Sequence, residues 1–167
     1  MKRLAILAAL LTAWPLAAQA ELFRAWLISY QEVPAVSSRA DGLFEARSAG
    51  DWNSIEFTLA YEGLQATVTQ AHIHFAQSRV NGPIIVWLCG TSANPGPAGT
   101  RTCPQSGSVS GTITAANVLA SPSTQQLPAG AIGDLISAMK AGVAYANIHT
   151  AASPGGEIRG QVFQIGH

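Results

Sequence analysis

Alternation of apolar and polar residues over short stretches is the feature that most constrains this fold. Over 54–61, apolar side chains occupy every second position from Ile55 to Tyr61, with Glu56 and Thr58 among the residues between them. Such a period of two predicts a half-buried strand. Comparable stretches separated by turn residues predict eight strands, at 22–30, 40–48, 54–61, 67–75, 84–89, 108–114, 143–149 and 157–164. The pattern predicts an all-β fold, an antiparallel Greek-key-like sandwich or barrel of about eight strands.

One segment has the period of a helix instead. Within 131–141, four apolar residues fall at i, i+3, i+4 and i+7, and Gly142 follows as a C-terminal cap. The four are Ile132, Leu135, Ile136 and Met139. We expect this short helix to cover a sheet edge or a barrel end with its apolar face, in preference to binding a partner with it.

The N-terminus has the pattern of an export signal. A positively charged start is followed by an apolar run over 4–13 and by the small-x-small sequence Ala18-Gln19-Ala20. The run is too short to span a membrane. We therefore predict a signal peptide over 1–20 and one domain over 21–167, with no membrane span after cleavage and a secreted or periplasmic location.

The charge of the chain excludes one class of partner. Nine Lys and Arg residues balance nine Asp and Glu residues, and the predicted signal peptide holds two of the basic ones. The remaining basic residues are scattered, whereas nucleic-acid binding requires clustered positive charge. We expect no nucleic acid as a partner; a metal ion and another envelope or extracellular protein remain.

Two cysteines, Cys89 and Cys103, would reach an oxidising compartment. A disulfide between them is the expected outcome there, and a pair of metal-binding thiols is the alternative. The bond would close a loop of 15 residues, from 89 to 103, which stabilises a fold by about 3 kcal/mol in the chain-entropy account. We read 90–107, which is rich in Gly, Pro, Ser and Thr, as a long loop pinned by this bond.

Three histidines form the candidate site. His72 and His74 lie two apart on a predicted strand and so share a face, while Ala71 and Ile73 take the face that suits a core. His149 has the same parity relative to its apolar neighbours. Two imidazoles about 6–7 Å apart on one strand can converge on one ion, and imidazole sets suit copper and zinc. The alternative is an ordinary solvated polar face.

Three further polar residues would support these ligands through hydrogen bonds: Glu32, Glu157 and Arg159. A hairpin between the last two long strands would bring His149 close to Glu157 or Arg159. His167 is the terminal residue, and we expect it to be incidental. The sequence has no nucleophile elbow and no phosphate-binding loop, so we assign no catalytic residue.

An ordered set of motifs resembles the CHRD domain, the repeated module first described in chordin. The resemblance spans roughly 22–164 and departs from the family pattern at Ala35 and in the cysteine-bearing stretch. A more distant likeness is to the copper–zinc superoxide dismutase barrel, without its bridging histidine or zinc loop. The motifs are Gln31-Glu32-Val33-Pro34, Ala71-His72-Ile73-His74, Asn81-Gly82-Pro83, Tyr145-Ala146-Asn147-Ile148-His149-Thr150 and Pro154-Gly155-Gly156-Glu157-Ile158-Arg159-Gly160-Gln161.

This resemblance implies a secreted all-β domain without an established enzymatic activity. We therefore expect a binding protein that holds copper or zinc at the three histidines. Two alternatives remain open at this point. One is a copper-dependent redox enzyme, and the other is a structural or adhesive extracellular domain.

Overall fold

A computed structural model describes residues 19–166. Most of the predicted signal peptide and His167 lie outside the described residues, so those two predictions stay predictions. The described part contains nine strands and one α-helix. They are β1 (Leu22–Ile28), β2 (Asp41–Ser48), β3 (Ser54–Glu62), β4 (Val68–Phe75), β5 (Ile84–Cys89), β6 (Gly107–Thr114), α1 (Ile132–Lys140), β7 (Ala144–Thr150), β8 (Ile158–Gln161) and β9 (Phe163–Ile165).

All nine strands belong to one antiparallel sheet that curls into a nearly closed barrel. The strand order is β5-β4-β7-β8-β1-β2-β3-β6, and β9 pairs with β1. The predicted all-β class is therefore confirmed. One predicted strand, 157–164, is two strands here, because Val162 donates its backbone N–H to the carbonyl of Ala144 and the chain then pairs with β1 alone.

The two edge strands, β5 and β6, do not pair with each other through a ladder of backbone hydrogen bonds. Two other links connect them. The backbone N–H of Leu119, shortly after β6, donates to the carbonyl of Ile85 at 2.8 Å. Cys89 at the end of β5 forms a disulfide with Cys103 in the loop before β6. The predicted disulfide is confirmed, and the alternative of metal-binding thiols is wrong because both sulfurs are used in this bond.

The apolar core fills the inside of the barrel. Phe57, Leu59 and Ile73, predicted to face inward, are at most 5 % exposed. The helix adds Leu135, Ile136 and Met139 to the same core, so its predicted apolar face is confirmed. Burial of such side chains is the main favourable term in the stability of a domain of this size.

The helix ends where the sequence predicted. The chain leaves it at Gly142 with φ of 67°, a conformation that glycine adopts without steric cost. It then enters β7 at Ala144, so α1 lies at the end of the barrel where β7 begins. Among the described residues, no helix is long and apolar enough to cross a membrane.

The outer face of the barrel differs from one side to the other. On β3 the outward residues Glu56 and Thr58 are exposed, whereas all seven residues of β7 are buried. Two loops lie over this second side: 29–38, which includes a short 3-10 turn, and 76–83. A second, polar interior therefore exists between the outer face of β4, β7 and β8 and these loops.

Candidate metal centre

The three predicted histidines come together in this polar interior. His72 and His74 project from β4, and His149 projects from the neighbouring β7. One ring nitrogen from each lies within 4.8 Å of the others. The parity argument placed the rings on one face of the sheet, and the pairing of β4 with β7 places them next to one another.

These histidines do not form a solvated polar face. His72 is 0 %, His74 7 % and His149 6 % exposed. That alternative interpretation is therefore wrong, because the loops over β4 and β7 exclude solvent. Ile73 is also fully buried, on the barrel side, so β4 carries a buried apolar face and a buried polar face.

Backbone carbonyls orient two of the rings. Nδ1 of His74 lies 2.9 Å from the carbonyl oxygen of Gly82, and Nδ1 of His149 lies 2.8 Å from that of Pro154. A carbonyl oxygen can only accept, so both Nδ1 atoms carry the proton in the neutral rings. Each Nε2 is left with a lone pair, the state in which imidazole binds a metal.

The third ring completes a compact donor set. Nδ1 of His72 lies 3.2 Å from Nε2 of His149. Two nitrogens bound to one tetrahedral zinc ion at 2.0–2.1 Å are separated by about 3.3 Å. The spacing of these two nitrogens fits one shared ion without movement of the backbone.

Unpartnered polar atoms also concentrate here. Among the described residues, four buried side-chain atoms lack a hydrogen-bond partner, and three of them are Nε2 of His72, Nε2 of His74 and Oε1 of Glu32. A buried polar atom without a partner costs about 1–3 kcal/mol. A cation would accept the lone pair of Nε2 of His74 and so offset part of that cost, while His72, whose Nδ1 faces His149, would carry its proton on Nε2. The donor set therefore fits a bound cation.

Burial keeps the three rings neutral. It lowers the pKa of His72 to about 2, with further lowering from His149 and His74. It lowers the pKa of His74 to about 4, although the hydrogen bond to Gly82 raises that pKa in part. Burial lowers the pKa of His149 as well. At neutral pH all three are therefore uncharged, as metal ligation requires.

Glu32 lies against the cluster from the loop over it. It is 6 % exposed, and burial raises its pKa to about 7 while Arg159 and a hydrogen bond from the side chain of Asn147 lower it. A Cβ at Gly156 would come within 2.4 Å of Oε1 of Glu32. The carboxyl group therefore packs directly on this glycine, whose φ of 126° favours glycine as well.

Glu157 has a different position from the one expected. Its carboxyl oxygens accept from the hydroxyls of Ser38 and Thr150, each at 2.7 Å, and from the backbone N–H of Gln65 at 2.9 Å. No described hydrogen bond joins it to a histidine. Glu157 therefore holds the covering loop onto β7 and β8 and acts on the rings only through that loop.

Arg159 acts on the site through an aromatic ring. Its guanidinium lies 3.4 Å from the centroid of Tyr145, and that ring stacks on His74 at 4.7 Å with an interplanar angle of 2°. The guanidinium also donates to the carbonyl of Val80 at 2.9 Å and to Oδ1 of Asn81 at 3.2 Å. The layered arrangement of Arg159, Tyr145 and His74 fixes the plane of the His74 ring.

Three residues of the site were not predicted. Asn147 and Tyr145 share the parity of His149 on β7, so the alternation alone could have identified them. Trp87, whose ring centroid lies 4.3 Å from that of His72, belongs to β5, and only the pairing of β4 with β5 places it here.

An antiparallel barrel with a buried polar cluster under two loops defines this protein as a β-domain with a candidate metal centre on its outer face. The family model of the CHRD domain matches residues 23–162, which covers the barrel except for Leu22 and β9 and includes all three histidines. The chain belongs to the CHRD-domain family. Comparisons with curated proteins and with solved structures found no match, so the likeness to copper–zinc superoxide dismutase has no support.

Proposed function

We propose that this protein is an exported, non-enzymatic binding domain that holds one copper or zinc ion between His72, His74 and His149. The observation that carries the proposal is the convergence of three buried neutral imidazoles with ring nitrogens within 4.8 Å. Imidazole nitrogen suits copper and zinc far better than calcium or magnesium. A binding role also agrees with the family, whose resemblance implied a secreted domain without an established enzymatic activity.

Export is supported by two features. The segment 1–20 has the pattern of a cleavable signal, and the disulfide between Cys89 and Cys103 is typical of an oxidising compartment. Edman sequencing of protein recovered from a periplasmic or culture-medium fraction should give Glu21 as the first residue. Recovery of the uncleaved chain from the cytoplasm alone would contradict the export.

The metal site is tested by titration of untagged protein that has been stripped with a chelator. Calorimetry with copper and with zinc should give one ion per chain for the wild type. His72→Ala, His74→Ala and His149→Ala should each weaken binding by more than 100-fold, since removing a ligand costs more than the 10–100-fold typical of a supporting residue. His167→Ala is the matched control and should bind as the wild type does.

Thermal unfolding gives an independent measure of the same site. An ion that binds only the folded chain stabilises it by about 2.7 kcal/mol at a free concentration of 100 times Kd. The wild type should show this gain and His149→Ala should not. If all three histidine variants bind as tightly as the wild type, the ion is held elsewhere and the proposal is wrong.

Trp87 provides an optical reporter. Because its ring centroid is 4.3 Å from His72, copper(II) at the site should quench its fluorescence, whereas zinc(II), a closed-shell ion, should not. Trp87→Phe should retain copper binding and lose most of the copper-dependent quenching. Equal quenching in both proteins would place the copper away from His72.

A further inference from the structure

Asn147 lies at the centre of the histidine cluster. It pairs across β4 with His72 and across β8 with Arg159, and it is two residues from His149 on β7. It is 2 % exposed. An amide in this position must satisfy all of its hydrogen-bonding groups from inside the site.

The amide oxygen of Asn147 faces a nitrogen that has no proton to give. Oδ1 lies 3.1 Å from Nε2 of His149, and Nδ1 of His149 already donates to Pro154. In the neutral ring Nε2 therefore carries only a lone pair. Two acceptors at this separation repel each other, unless a cation is bound by both.

Glu32 explains why the amide does not simply turn around. The side chain of Asn147 hydrogen-bonds Glu32, and when Glu32 is ionised only the NH₂ group of Asn147 can be the donor. Turning the amide would remove the repulsion at His149 and create the same repulsion at Glu32. The side chain of Asn147 also interacts with His74, so the amide group lies between two of the proposed ligands.

We propose that Oδ1 of Asn147 is the fourth ligand of the ion and that Glu32 is the positioning residue that aims it; this rests on the three-histidine site proposed above. The distance of 3.1 Å from Oδ1 to Nε2 of His149 matches the spacing of 3.2 Å between His72 and His149. Amide oxygens occur as weak fourth ligands of copper sites.

The fourth ligand has a functional consequence. A metal site with three protein ligands keeps a position for water or substrate, whereas a site with four protein ligands is closed. With Asn147 in place, the ion is held and shielded, and no small anion can reach it. The site then retains copper or zinc instead of presenting it to a substrate.

The test uses the copper(II)-loaded protein and azide as the probe of an open position. Azide should leave the visible and electron paramagnetic resonance spectra of the wild type unchanged. In Asn147→Ala it should produce a new ligand-to-metal band, and copper affinity should fall, though by less than in the histidine variants because an amide oxygen is a weak ligand. Asn147→Asp, which keeps an oxygen at this position, should remain insensitive to azide, and Asn53→Ala on the exposed surface is the matched control.

The role of Glu32 is tested by Glu32→Ala, which frees the amide to turn. Copper affinity should fall and azide sensitivity should appear, without loss of the one-to-one stoichiometry. An azide response in the wild type as strong as in Asn147→Ala would overturn the fourth ligand and leave the three histidines in place. Absence of copper binding by the wild type would overturn the histidine site and this inference together.

Discussion

The strands β3 and β7 have similar sequence patterns and very different surroundings. On β3, Phe57 and Leu59 face the barrel interior while Glu56 and Thr58 face solvent. On β7 the apolar residues face the same interior, but the alternate residues, His149 included, are buried as well. The difference arises from the loops, which cover one side of the barrel and leave the other open.

The two sides use different interactions. The β3 side is stabilised by burial of apolar surface. The polar groups on its outer face carry no desolvation cost, because they keep their hydrogen bonds to water. The β7 side removes polar groups from water, and such groups are tolerated only when they find partners. Most do, but the orphaned nitrogens of His72 and His74 and the orphaned oxygen of Glu32 do not. These unpartnered atoms are the feature of this side that supports the proposed metal site.

We expect the largest difference in stability between the two sides when a glutamate is removed from each of them. Glu157→Ala leaves two buried hydroxyl donors and one part-buried backbone N–H without an acceptor, and we expect the free energy of unfolding to fall by about 3–5 kcal/mol. Glu56→Ala, on the solvated face, should change it by less than about 0.5 kcal/mol. Denaturant unfolding of both variants checks this, and equal effects would show that the covering loop is not held by Glu157.

The apolar interior should be common to both sides. Ile73→Ala on β4 and Leu59→Ala on β3 should each lower the free energy of unfolding by about 2–5 kcal/mol, because each leaves a cavity in the core. Chemical denaturation in the presence of a chelator is the measurement, so that metal binding does not contribute. A loss below about 0.5 kcal/mol for Ile73→Ala would place Ile73 on the surface and overturn the description of β4.

Lowering the pH should destabilise the β7 side of the barrel more than the β3 side. Because burial lowers the pKa of His72 to about 2 and that of His74 to about 4, the unfolded chain binds protons below about pH 6.5 that the folded chain does not. Their contribution to stability is complete above pH 6.5 and is lost as the pH falls toward 4. Glu32, with its pKa raised to about 7, acts in the opposite direction as the pH falls from 7 to 4.5.

The free energy of unfolding of the metal-free protein should therefore fall measurably as the pH is lowered. Metal-free wild type should lose at least about 2 kcal/mol of stability between pH 6.5 and 4.5, since His72 and His74 alone outweigh Glu32 and the lowered pKa of His149 acts in the same direction. Glu32→Gln should lose about 2 kcal/mol more over the same range, because the opposing group is gone. Unfolding monitored at several pH values checks both. A flat profile in both proteins would mean that the histidines are open to solvent.

The smallest expected difference concerns two threonine hydroxyls. The hydroxyl of Thr150 donates to Glu157 in the buried region at 2.7 Å, whereas that of Thr58 pairs with Ser110 on the exposed face at 2.9 Å. Thr150→Val should cost about 1–3 kcal/mol and Thr58→Val less than about 0.5 kcal/mol. Thermal unfolding of the pair resolves this difference, and similar values would remove the distinction between the two faces.

Much of the fold could be predicted from local patterns. The strand alternation, the helix over Ile132 to Met139, its cap at Gly142 and the pairing of Cys89 with Cys103 all depend on nearby residues or on chemistry that has few alternatives. The common face of His72 and His74 follows from the pleat of one strand. The site beyond these residues could not be predicted to the same extent, since it depends on which strands become neighbours.

The sequence by itself determined which side chains share a face, because alternation along a strand is a local property of the backbone. Only the tertiary structure decided that β4 pairs with β7, that Trp87 reaches His72 from β5, and that the loop carrying Glu32 covers the cluster. These contacts join residues far apart in the chain and have no local periodicity. The burial that neutralises the histidines belongs to the same class, since desolvation is a property of the assembled fold and not of any one strand.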